Sequence, residues 1–294
     1  MSRWRGETSG QGAETSRQGL QRLDPDIERL VSLAQQLVSA VYPLVSSVGL
    51  FVSAVCPLNC NLEAPDMALV CGIDLGSFNT PSYVAWLEDG EILLGSYTAS
   101  VEQPLPPAPG GWAPAFTAID GPQGLPVPGR RTRLCDREAG VPTKSLPTSR
   151  EELATWPLYR PFLTAGVELF WSVHEREIAS VLGLVLLSDL PEAGIICETY
   201  PRYVASRLWP GWKLPSKRRT PAVYVETVWS RLRAAGYTCA NEIVRPDHVD
   251  AMLCAVAAEA CLREDGIPAG TVGEAPLVDP AGRLLREGFL IAPA

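Results

Sequence analysis

Histidine is almost missing from this chain. Its 294 residues include two, His174 and His248, which leaves little material for a Ser-His-Asp or Cys-His catalytic arrangement and turns attention to carboxylates. Paired cysteine motifs are missing as well. The eight cysteines (56, 60, 71, 135, 197, 239, 254 and 261) form no CxxC ladder and no framework of the kind that staples a small secreted domain. Several lie in apolar runs, where a thiol acts as a small buried hydrophobe, so a reducing, cytoplasmic setting without structural zinc is expected. Positive charge is in short supply: 25 Lys and Arg against 33 Asp and Glu give a formal net charge of -8, the wrong sign for coating nucleic acid through a general basic field. Any nucleic-acid contact must therefore be local. Internal repeats are also lacking. What the chain does have is a 46% hydrophobic share with 8 Trp, 8 Tyr and 6 Phe, which excludes wholesale disorder.

The first 66 residues differ from the rest. Residues 1–28 are polar, rich in Arg, Gly, Ser and Gln, and read as a flexible tail. From Leu30 to Leu62 no residue is charged, a stretch long enough to span a bilayer. Gln35, Gln36, Asn59 and Asn61 dilute it, and Pro43 would break or kink a helix near its middle. A membrane anchor is therefore not favoured, and the long polar stretch ahead of the run argues against a secretory signal. The expectation is a dispensable extension over 1–66, with Met67 as the natural start, and one domain over 67–294.

Local patterns divide that domain. Ala68 to Leu75 is apolar without alternation, as in a strand covered on both faces. Tyr83 to Leu87 and Glu91 to Thr98 are strand-like and joined across Asp89-Gly90, a strong hairpin signal. Ala115 to Asp120 and Gly194 to Glu198 are short apolar runs stopped by Gly121-Pro122 and Tyr200-Pro201, and are predicted as the fourth and fifth strands. Helical material is expected within residues 150–190, including Val173 to Leu187, and helices are expected over Thr220 to Ala235 with Gly236 as its stop and over Asp247 to Arg263. An α/β fold follows, with a mixed five-stranded sheet and helices on both faces.

The acids fall at informative places. Asp74, Asp120 and Glu198 end three predicted strands, and parallel neighbours about 4.8 Å apart let such residues converge. Asp247 and Asp250, at i and i+3, share a helix face. They read equally as an N-cap and its capping-box partner, but the small residues Ala251, Cys254, Ala257 and Ala258 on that face would let the helix approach the sheet. An oxygen-only donor set suits Mg²⁺ or Mn²⁺, and two such ions suit phosphodiester hydrolysis. Two basic clusters stand out: Arg130, Arg131, Arg133 and Arg137, then Lys213, Lys217, Arg218 and Arg219. The second reads as solvated loop.

These residues carry a resemblance. The strand Gly72-Ile73-Asp74-Leu75-Gly76, the hairpin after it and DHVDAMLCA (247–255) resemble the RNase H-like superfamily, in particular its Holliday-junction resolvase RuvC branch. That branch combines a first-strand Asp, a fourth-strand acid and paired acids on the last helix. AIDGPQGLP (118–126), GRRTRLCDR (129–137), ETYPR (198–202) and DHVDA (247–251) are similar, in this order, to motifs of the family called domain of unknown function 429, regarded as predicted RNase H-like nucleases. The resemblance spans about residues 68–264. It implies an RNase H-like fold and a Mg²⁺- or Mn²⁺-dependent nuclease. Asp74, Asp120, Glu198, Asp247 and Asp250 would form the metal site, with Arg130, Arg131 and Arg133 near substrate phosphate. GIDLGSFNT (72–80) also looks like the first phosphate loop of the actin-like ATPases, so ATP binding is the alternative, and a non-catalytic RNase H-like binding module is a third.

Overall fold

The computed structural model describes residues 68–111, 113–142, 145–185, 194–263 and 267–294; the expectations made for 1–66 lie outside them. The apolar run after Met67 forms β1 (Val70–Asp74), with Val70 in one hydrophobic cluster and Cys71 and Ile73 in the other. Both faces are covered, which is why the run shows no alternation. Asp89 and Gly90 take φ of 48° and 79°, the left-handed pair that a two-residue hairpin turn requires. They join β2 (Ser82–Glu88) to β3 (Glu91–Tyr97) with Glu88 opposite Glu91. β1 pairs antiparallel with β2 and parallel with β4 (Phe116–Asp120), and β4 pairs parallel with β6 (Ile195–Thr199).

The sheet is larger than the expected five strands. Short strands β5 (Ser180–Val181) and β7 (Thr238–Cys239) join β6 and β3, and a hairpin of β8 (Val272–Asp279) and β9 (Leu284–Ile291) extends the other edge. Among the described residues the sheet has nine strands, eight of them in the order β7-β3-β2-β1-β4-β6-β9-β8, with β5 off this path beside β6. The last hairpin hides from pattern reading because β9 buries two charged residues, Arg286 and Glu287. Arg286 bonds Asp279 and the carbonyls of Pro126 and Thr148, while Glu287 accepts the amides of Val127 and Leu134.

Two short helices, α1 (Leu134–Glu138) and α2 (Arg150–Ala154), precede α3 (Arg160–Glu175). α3 lies within the helical segment expected over residues 150–190, but it ends at Glu175, so the part expected over Val173 to Leu187 stops after its first three residues. The helix begins earlier, with Pro161 in its first turn, and after Arg176 the chain turns through Glu177 at φ 53°. The apolar Val181 and Leu182 therefore belong to the sheet side of the core. α4 (Pro201–Leu208) follows β6. α5 (Pro221–Ala234) and α6 (Pro246–Arg263) match their predicted spans within a residue or two, and Gly236 follows α5 at φ 101°.

Helices cover both faces. α6 packs with α4 and α5 against Ala85, Ala118 and Cys197. α3 lays Leu169, Phe170 and Val173 on Ile73, Ile119 and Ile196 of the opposite face. The small residues of α6 permit a close approach: a Cβ placed on Gly72 would stand 2.2 Å from the Ala251 carbonyl oxygen and 2.1 Å from the Ala255 nitrogen. The six cysteines among the described residues are free thiols. No helix among those residues is long and apolar enough to cross a membrane.

Candidate metal centre

Parallel pairing sets Asp74 directly opposite Asp120 at the carboxyl ends of β1 and β4. Side chains alternate along a strand, so both carboxylates share the face of Gly72 and Ala118, which is the face that α6 covers. The helix delivers Asp247 and Asp250 from its first turns, and one oxygen from each of Asp74, Asp247 and Asp250 lies within 4.8 Å of the others. The amino group of Lys217 stands among them, 3.5 Å from Asp74 Oδ2, 2.9 Å from Asp247 Oδ1 and 2.5 Å from Asp250 Oδ2. The buried Tyr224 hydroxyl, from α5, donates to Asp250 Oδ1. Asp250 thus faces Lys217 and Tyr224 rather than serving as a capping-box partner.

The electrostatics of this cluster are unbalanced. Burial pushes Asp74 well above the usual aspartate range, the charges of Asp250 and Asp120 push it further, and Lys217 only partly opposes them. Asp120 is pushed up to about 8, first by burial and then by Asp250. Burial also raises Asp250, against the stabilising contacts from Lys217 and Tyr224. Burial works against the charge on Lys217, yet Asp250 and Asp74 carry its amine above the ordinary lysine value. Among the described residues four carboxyl groups share one ammonium, so the cluster retains capacity for more positive charge. The donors are oxygens, which fit a hard divalent cation.

No protein-family model, curated protein or solved structure matches the chain. The residues of the site must therefore speak for themselves.

Glu198 needs correction as a member of the cluster. The register pairs Ile119 with Glu198 and Asp120 with Thr199, so Thr199 occupies the level and face of the two aspartates while Glu198 points to the opposite side. There it accepts the Gln123 amide at 2.7 Å and pairs with Arg133, Nη1 to Oε2 at 2.5 Å and Nη2 to Oε1 at 2.7 Å. Burial raises its carboxyl, with Arg133 opposing the shift.

The basic residues are redistributed in the same way. Arg133, expected near substrate phosphate, is 2% exposed and also bonds both oxygens of Asp136. Arg130 pairs with Glu274 at 2.6 Å, and Arg131 lies 3.7 Å from Glu152 at the surface. The cation that reaches the acids is Lys217, from the cluster read as solvated loop. Tyr224 is the other site residue that sequence reasoning passed over. Its only signal was an aromatic on a helix rich in apolar residues, which any core position shares.

The loop after β1, the second part of GIDLGSFNT, turns tightly on nearby side chains. The amides of Gly76, Ser77 and Asn79 donate to Ser82 Oγ, Thr80 Oγ1 and Ser77 Oγ at 3.1, 2.9 and 3.2 Å. Those are the donors a nucleotide phosphate would need from such a loop.

Proposed function

We propose that this protein is a metal-dependent hydrolase of nucleic-acid phosphodiesters, with an RNase H-like domain and Mg²⁺ or Mn²⁺ as its cofactor. The observation that carries the reading is the convergence of Asp74, Asp247 and Asp250 around the single ammonium of Lys217. A first-strand Asp, a fourth-strand acid in Asp120 and paired acids on a late helix also follow the arrangement that the sequence resemblance implies.

Asp74, Asp247 and Asp250 would hold the cation. A bound Mg²⁺ or Mn²⁺ supplies Lewis-acid stabilisation of phosphoryl oxygen and lowers the pKa of bound water. The protein's own residues prepare the place for it. Tyr224 fixes the rotamer of Asp250 through its hydroxyl, and the Asp74–Asp120 register fixes the spacing of the strand-end carboxylates. Lys217 is 44% exposed, so its side chain has room to leave the acids and meet a substrate phosphate. The alternative ATP-binding reading is less well supported, because the loop after β1 spends its amides on Ser77, Thr80 and Ser82.

The test is cleavage of DNA and RNA substrates of varied structure by purified protein with Mg²⁺, with Mn²⁺ and with chelator. Metal-dependent scission that is abolished by Asp74→Asn, with the melting temperature retained, is the expected result. Equal cleavage by the Asn variant, or calorimetric failure to bind either metal, overturns the reading.

A further inference from the structure

A cavity of about 600 Å³ opens beside the strand ends; no residue of α6 lines it, and of the carboxylate cluster described above it shares Asp120. That volume lies within the range of small-molecule sites and is ample for one nucleotide unit. Its inner end is formed by Asp120, Thr199, Tyr200 and the buried Arg133–Asp136–Glu198 network, and its outer part by Trp156, Tyr159 and Phe162.

Two features of the lining indicate its occupant. Among the described lining residues, one guanidinium stands against the carboxylates of Asp136 and Glu198, and Arg133 commits its Nε, Nη1 and Nη2 to them. Such a floor has the wrong sign for a phosphate and suits a neutral ring. At the mouth, Tyr159 is held at φ 54°, a conformation that costs a bulky residue energy and recurs at ligand clamps. Tyr159 is 74% exposed, beside Leu158 at 64%. A large aromatic so displayed at the rim of the cavity offers a face on which a base can stack.

We infer that this cavity receives an unstacked nucleobase of the strand whose phosphodiester lies at Asp74 and Asp250, with Tyr159 and Trp156 stacking on it. The inference rests on the phosphodiester reading and gives that reading a substrate class: single-stranded, looped or flipped-out nucleotides in preference to continuous duplex. Asp120 lines the cavity and is the strand partner of Asp74, so a base in the cavity and its own phosphate at the acids belong to one nucleotide's reach. Taking a base out of a stack costs a few kcal/mol, and stacking on aromatic side chains offsets it.

The experiment compares binding of oligoadenylate octamers, deoxy and ribo, with octamers of the matching abasic backbones, using fluorescence anisotropy in Ca²⁺ so that the strand is bound uncut. The base-bearing octamer of the preferred sugar should bind at least about tenfold more tightly than its abasic counterpart. Tyr159→Ala, at a residue too exposed to threaten the fold, should weaken only the base-bearing octamer and so close the gap. Equal affinity for the two backbones, or equal weakening of both by Tyr159→Ala, overturns the cavity assignment and leaves the phosphodiester reading standing. Failure of every octamer to bind overturns both.

Discussion

Gly72 in β1 and Ala255 in α6 meet backbone to backbone, at a separation where a single added Cβ would lie 2.1 Å from the Ala255 nitrogen. That contact sets the height at which Asp247 and Asp250 hang over Asp74. Gly72→Ala should push α6 outward, with an overpacking cost of about 1–3 kcal/mol or more. A denaturant melt measures the loss, and Mn²⁺ affinity should fall with it. An unchanged melt would show that the helix can shift without penalty.

Lys217 occupies the position between the acids that a divalent ion would need. Lys217→Met should therefore lower the melting temperature in chelator, where the carboxylates are left facing one another, and should tighten Mn²⁺ binding several-fold by removing a tethered competitor. Calorimetry reads the affinity directly. Weaker Mn²⁺ binding in the variant would make Lys217 a supporting rather than a competing charge.

Stability without metal should depend on pH through Asp120. Its folded-state value of about 8 is above the ordinary 3.8, so the folded protein binds more protons than the unfolded chain between those values. The stabilisation is fully present below 3.8 and is lost as pH rises toward about 8. Melting curves in chelator should fall across that window, and Asp120→Asn should flatten the slope. Because a cation favours the ionised carboxylates, Mn²⁺ affinity should rise over the same range. A flat profile in the parent protein would contradict the burial of Asp120.

Arg133 and Arg130 should behave oppositely despite lying three residues apart. Arg133→Ala strands the buried Asp136 and Glu198 and should cost about 3–5 kcal/mol. Arg130→Ala removes an exposed guanidinium that pairs with Glu274 and reaches Glu287 only at 3.5 Å, and should leave the denaturation midpoint nearly unchanged. Chemical denaturation of the two variants tests the contrast, and similar losses would mean that the buried Arg133–Asp136–Glu198 pairing contributes no more to stability than a surface ion pair.

Much of the frame is readable locally. The hairpin at Asp89-Gly90, the strands ending in Asp74 and Asp120, and the helices over Pro221–Ala234 and Pro246–Arg263 follow from turn residues and hydrophobic period, both of which depend on near neighbours. The pairing of Asp247 with Asp250 on one helix face is equally local, since three residues make nearly one turn. α3 and the β8–β9 hairpin were less legible. Glu177 divides the apolar run between a helix and a strand, and burying Arg286 and Glu287 relies on partners far along the chain, the carbonyls of Pro126 and Thr148 and the amides of Val127 and Leu134, besides the nearby Asp279.

The sequence by itself determined which acids stand at strand ends and on one helix face, because strand and helix periods are properties of consecutive residues. Only the tertiary structure decided which of them meet. A one-residue difference in register turned Glu198 to the other face of the sheet and put Thr199 level with Asp120. The path of a loop brought Lys217 to Asp250, 33 residues along the chain, and the fold buried Arg133 against Glu198, 65 residues away. The physical reason is the same in each case. A charge's role is fixed by its burial and its partner, and both are supplied by segments remote in sequence that no local pattern encodes.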